Sequence, residues 1–215
     1  MSLGAVWDGL DVPVRRSLEL AWEAYLAGSI PVGCVLTDSR GDIVIEGRNR
    51  AFEEASPKAR ISGTYIAHAE INVLAMLPPG DYDDHTLWTS LEPCFLCSAA
   101  IVHSHIGSVC YVAADPLMSG TDRLPELNDW VASRWPNRSG PFRDSADDFS
   151  SLLHLAFFAD VRPGGVVTTA YAKRDPVMLE IAARVAAHGL LDSVYNAREA
   201  FVVLCEEMSH GPSGE

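Results

Sequence analysis

No run of about 18 apolar residues occurs in the 215-residue chain, so no helix of membrane-spanning character is expected. The opening MSLGAVWDGLDVPVRR lacks a basic start followed by an apolar core, which argues against a secretory signal and makes the cytoplasm the expected compartment. Positive charge is scarce: 16 Lys and Arg stand against 29 Asp and Glu, a formal net charge of −13. Proteins that grip RNA or DNA neutralise phosphates with Lys and Arg, so a nucleic-acid partner is disfavoured. A disulfide framework is lacking too. The five cysteines, Cys34, Cys94, Cys97, Cys110 and Cys205, are odd in number and have no framework spacing, which suits thiols or metal ligands.

What is present is an ordinary globular composition, 48% hydrophobic, in a chain long enough to bury a core. Asp11 as cap, Pro13 in the first turn, and Val14, Leu18, Trp22 and Leu26 on one face predict a helix that Gly28 ends. PVGCVLTD and DIVIEGRN, joined by SRG, predict an antiparallel hairpin. A polar loop from Ala51 to Gly63 leads to a helix with Ile71, Leu74 and Ala75 buried, which PPG stops. A strand at His85–Pro93, a helix over CFLCSAAIVHS and a strand at Ser108–Asp115 follow. Strand–helix–strand units of this length call for parallel pairing, hence a mixed sheet covered on both faces. After Asp115 the pattern weakens into a Pro-, Gly- and Ser-rich segment with a short helix around Glu126 to Ser133. Three closing helices are expected, near Phe149 to Phe158, over DPVMLEIAARVAAHG, and from Ser193 to Met208.

The chemistry-bearing residues stand at two predicted helix starts. His68 and Glu70 open one, and Cys94 and Cys97, in PCFLC, open the other with both sulfurs on one helical turn. One imidazole and two thiolates make three good zinc ligands, and three leave the fourth tetrahedral position of a catalytic ion open. Helix starts favour thiolate over thiol, and zinc lowers the pKa of a bound water toward about 7. Glu70, two positions past a ligand, can carry a proton to a substrate nitrogen without ligating. HxE followed by PCxxC is the established signature of zinc deaminases.

From about Arg16 to Asp115 the chain resembles the cytidine and deoxycytidylate deaminase-like superfamily, most of all its transfer-RNA adenosine deaminase and guanine deaminase branch. IPVGCVLTD, GRNR, AHAEINVL and LWTSLEPCFLCSAAIVHSHIGSVCY carry the resemblance. It implies an α/β fold, three-layer α/β/α around a central mixed five-stranded sheet, here with additional C-terminal helices. The expected organisation is a zinc-dependent deaminase domain over 1–165, a helical extension over 166–208 packed on it, and a disordered tail over 209–215. It further implies Zn2+ held by His68, Cys94 and Cys97, Glu70 as proton shuttle, and a base or sugar contact from Asn49. Ala69 and Glu92 are implied to contact the base or the reacting groups through main chain. Members commonly form dimers, so a homodimer is expected.

Trp130 and Trp135 lie in the polar segment where a buried role is less evident, and one of them is expected to line the pocket and stack on a ring. Trp88 is expected in the core, and His103 and His105 as helix-end residues. The longer loop between Asn49 and His68, the lack of a basic C-terminal helix and the −13 charge favour a free nucleobase, nucleoside or related heterocycle over RNA. The competing readings are a transfer-RNA adenosine deaminase, a non-catalytic zinc-stabilised binding protein, and a redox CxxC protein.

Overall fold

The computed structural model describes residues 2–55 and 61–211. Five strands, β1 (Gly33–Thr37), β2 (Ile43–Arg48), β3 (Tyr82–Leu91), β4 (Ile106–Ala113) and β5 (Asn137–Ser139), form one sheet in the order β2-β1-β3-β4-β5. β1 pairs antiparallel with β2 and β3, whereas β3–β4 and β4–β5 are parallel. The sheet is therefore mixed, as the hairpin and crossover patterns require.

One face carries α3 (Ala69–Leu74) and α4 (Phe95–His103), with Cys34, Leu36, Leu87, Leu91, Val109 and Ala113 packed beneath Val73, Leu74 and Ile101. The other carries α1 (Leu3–Asp8), α2 (Val12–Leu26) and four closing helices, α6 (Ser145–Val161), α7 (Val166–Arg174), α8 (Pro176–Ala187) and α9 (Ala197–His210). Alternation along β3 and β4 sorts side chains between the faces, which puts Thr89 on the same side as Leu87 and Leu91. Gly33 lets α2 approach closely, since a Cβ there would sit 2.1 Å from the Ser17 carbonyl oxygen.

Several elements depart from the sequence reading. Leu26, expected on the buried face of α2, is 56% exposed, while Leu18 and Trp22 are buried. Asp11 precedes α2 without making a side-chain cap bond, and Gly28 takes the left-handed conformation that ends it. α1 was not expected; its Trp7 packs on both Phe149 and Phe201, at ring separations of 6.1 and 5.3 Å, while those two rings lie 5.6 Å apart. α7 was not expected either, since its Val166, Val167, Thr168 and Thr169 favour strands locally; burial of Val167 and Tyr171 overrides that preference. The short helix expected around Glu126 divides into a 3-10 turn over Thr121–Leu127 and α5 (Asp129–Ala132).

β5 is three residues with no alternation to reveal it. Arg138 secures it: its side chain is buried over the Tyr111 ring and within 3.4 Å of Glu92. At the C-terminal end α9 runs to His210, so Ser209 and His210, expected in a tail, are helical; residues 212–215 lie outside those described. Trp88 is partly buried and donates from Nε1 to Thr37 Oγ1 at 3.1 Å. No described helix is long and apolar enough to cross a membrane.

Candidate active site

His68 and Cys94 are the residues from which α3 and α4 start, both with extended backbone and neither making a side-chain cap bond. Their side chains are thus free to turn toward each other where the two helices meet. His68 Nδ1 lies 3.4 Å from Cys94 Sγ and 3.4 Å from Cys97 Sγ, and the three donor atoms all fall within 4.8 Å of one another. Tetrahedral zinc, with bonds of about 2.3 Å to sulfur and about 2.0 Å to nitrogen, separates such atoms by about 3.6 Å. The donor set and spacing therefore fit a zinc ion. The Tyr65 backbone hydrogen-bonds the His68 ring and helps fix its orientation.

Proton affinities in the cluster are uneven. A hydrogen bond with Cys97, reinforced by one with His68, draws the Cys94 thiol down to about 4. The same contact with Cys94, together with burial, pushes Cys97 well above the usual thiol range. His68 is raised, chiefly by its contact with Cys94.

Glu70, on the first turn of α3, is 3% exposed. Its Oε1 accepts a hydrogen bond of 3.3 Å from Thr89 Oγ1, and its Oε2 accepts one of 3.3 Å from the Cys97 thiol. Burial raises its carboxyl above the usual range, and the nearby Cys94 adds to the shift. A carboxyl so held takes up a proton more readily than an ordinary carboxylate, which suits a group that accepts a proton and passes it on.

His68, Glu70 and Cys94 line a cavity of about 160 Å³ at the carboxyl ends of β3 and β4, where open α/β sheets hold ligands. Asn49 lines it as well. Its Oδ1 accepts from Ser29 Oγ at 3.0 Å and from the Ala51 backbone at 2.9 Å, so the NH2 is the group it can offer to an occupant. Glu92 also lines the cavity, but its carboxylate accepts from the Asp115 backbone, Thr121 and Arg138 and so ties the ends of β3 and β4 to β5. Ala69 is fully buried and is not among the lining residues.

The expected tryptophan stacking is corrected. Neither Trp130 nor Trp135 lines the cavity within this chain. Trp130 is 42% exposed and packs on His103 at a ring separation of 4.7 Å, and the Arg138 guanidinium lies 5.6 Å from the Trp135 ring centre. The aromatic wall comes instead from Phe158 on α6. Sequence reasoning missed Thr89, Asp115, Phe158 and His154. Thr89, Asp115 and Phe158 carry no local signal that marks them, whereas His154 does, as the lone polar residue in the apolar run from Leu152 to Phe158 of α6.

Known proteins agree with this geometry. The family described as cytidine and deoxycytidylate deaminase zinc-binding region matches residues 12–113. The tRNA(Ile)-lysidine synthase of Deinococcus radiodurans is 33% identical over 163 residues, 73% of this chain, although the chain spans only 26% of that protein's length. The tRNA-specific adenosine deaminase of Streptococcus pyogenes serotype M18 is 32% identical over 118 residues, 53% of this chain and 69% of that protein. A solved guanine deaminase from Nitrosomonas europaea is 24% identical, with a TM-score of 0.52 over 70% of this chain and 86% of that one, a likeness of fold. A three-ligand cluster that fits zinc, a buried carboxyl against it, and a matched region holding both place the chain in the zinc-binding family of cytidine and deoxycytidylate deaminases.

Proposed function

We propose that the chain is a zinc-dependent hydrolytic deaminase acting on an amino-bearing nucleobase ring, taken as a free base or nucleoside. The observation that carries this reading is the position of Glu70, buried against the His68–Cys94–Cys97 cluster on the wall of a cavity of about 160 Å³. An ion held by those three residues supplies Lewis acidity and a water of lowered pKa. Glu70 would then carry two protons in turn: Oε2 takes up the first from the attacking water and the carboxyl delivers it to the ring nitrogen next to the amine-bearing carbon, and the second, from the hydroxyl left on that carbon, passes to the departing amine as the carbonyl forms. The balance is one water consumed and one ammonia released, with a carbonyl left where the amine stood. Asn49 contributes its NH2 to an acceptor on the ring or its sugar, and Phe158 offers a face or edge for the ring to pack on.

The charge of the cavity supports a neutral reacting ring. About 160 Å³ is room for one heterocycle. No Lys or Arg is among the described lining residues, whereas Glu70, Glu92 and Asp115 are, which disfavours a phosphate inside it. The test is an ammonia-release screen of the zinc-loaded protein over cytosine, adenine and guanine as bases, nucleosides and nucleotides. Release from a base or nucleoside supports the reading, and zinc-replete protein inert toward all of them rules it out.

A second reading, adenosine within transfer RNA, is favoured by the tRNA enzymes among the relatives. Inosine formation in tRNA, with affinity that falls steeply as salt rises, would select it. A homodimer is proposed from the family resemblance; exposed Phe95 and Leu96 at the start of α4 supply apolar surface for it, and sedimentation reads the mass.

A further inference from the structure

His154 is the one imidazole on α6. It is 4% exposed in a run of Leu152, Leu153, Leu155 and Phe157, all buried in the core. Among the described residues its Nδ1 has no hydrogen-bonding partner. The ring meets Phe158 edge to face at 5.1 Å, and both residues line the cavity that holds Glu70 and Asn49. A side chain needed only for packing at such a place is better served by leucine, because an unpaired buried ring nitrogen is destabilising. The orphaned atom is therefore unexplained by the fold, and the ring that carries it borders the cavity. Turning the ring over exchanges Nδ1 for Cδ2 in the same volume, so either edge can be presented.

Burial lowers the proton affinity of His154, and the Asp115 carboxylate opposes this only in part. The ring is thus neutral, with one N–H and one lone pair. His154 lies outside the region matched to the family, residues 12–113, so it adds to the site something the shared part does not contain.

We propose that His154 is a specificity-determining residue whose imidazole hydrogen-bonds a ring nitrogen, ring N–H or carbonyl on the plane of the heterocycle in the cavity. The inference rests on the deaminase reading and names the substrate feature it adds, a polar ring edge in addition to the amine that leaves. It joins Asn49 and Glu70 among the polar residues of a cavity that Glu92 and Asp115 also border.

The test compares zinc-loaded wild type with His154→Leu and His154→Gln. Kinetics are measured on whichever base or nucleoside is deaminated, alongside thermal melting and calorimetric binding of cytosine, adenine and guanine. The leucine variant is expected to melt at or above the wild-type temperature while its KM rises about tenfold with kcat within about twofold, the loss of one hydrogen bond. Glutamine, which retains a donor and an acceptor, is expected to recover part of the KM. An unchanged KM in the leucine variant overturns the role of His154 and leaves the deaminase reading standing, and a leucine variant that fails to fold overturns it too, because the residue would then be structural. If wild type deaminates nothing, the deaminase reading fails. Calorimetry then decides for His154, and bases that do not bind, or bind wild type and variant equally, overturn it.

Discussion

Thr89 Oγ1 donates a 3.3 Å hydrogen bond to Oε1 of Glu70, and this contact decides which carboxylate oxygen faces the metal-ligand cluster. Thr89 is fully buried in β3, and Cys34 lies opposite it on β1, so the hydroxyl has no solvent alternative. A proton carrier held by one oxygen keeps the other aligned through both transfers. Thr89→Val, close in shape but without the hydroxyl, is expected to lower kcat about tenfold with KM within about twofold and zinc content unchanged. Steady-state kinetics with metal analysis on the same samples check it.

Glu70→Gln preserves volume and removes the titrating oxygen. Ammonia release should fall by a factor of about 10² to 10⁴, the usual worth of a positioned acid–base group, while zinc stays bound. Loss of zinc together with activity would instead make Glu70 a ligand.

The metal should stabilise the fold, since α3 and α4 start at His68 and Cys94 and come together at the cluster. Removing zinc with a chelator, or replacing Cys97 with Ala, is expected to lower the melting temperature, and added zinc should restore it only in the chelated wild type. Calorimetric melts read both.

His154 gives a pH signature. Its proton affinity is lowered from an ordinary value of 6.5, so below that pH the unfolded chain binds a proton that the folded chain resists. Stability contributed at neutral pH is therefore lost as pH falls through about 6.5 toward the folded value. His154→Leu lacks this linkage, and groups common to both proteins cancel in the comparison. The stability advantage of the leucine variant should widen between pH 7.5 and pH 5, as read by urea unfolding.

Much of the sheet and the metal-ligand cluster could be read in advance because their signals are local. The strands alternate, or are apolar throughout, between turn residues, and the ligands sit at fixed short spacing at two helix starts. The rest depends on contacts distant in sequence. β5 exists through Arg138 meeting Tyr111 and Glu92, and α1 through Trp7 reaching Phe149 and Phe201. The pocket wall was misassigned for the same reason. Trp130 and Trp135 looked available because they stand in a polar segment, yet one packs on His103 and the other beside Arg138, while α6 brings Phe158 and His154 to the cavity.

The Trp7 contact also makes the amino-terminal helix part of the core. Phe149 is fully buried, and truncating it removes the ring on which Trp7 packs; Phe149→Ala should cost about 3–5 kcal/mol in denaturant unfolding.

The most direct measurement is zinc content and ammonia release on one preparation, with Glu70→Gln beside the wild type. The account predicts about one zinc per chain in both proteins, and ammonia from at least one free base or nucleoside in the wild type alone. Full zinc occupancy with no ammonia from any base or nucleoside, or equal release by both proteins, would contradict it.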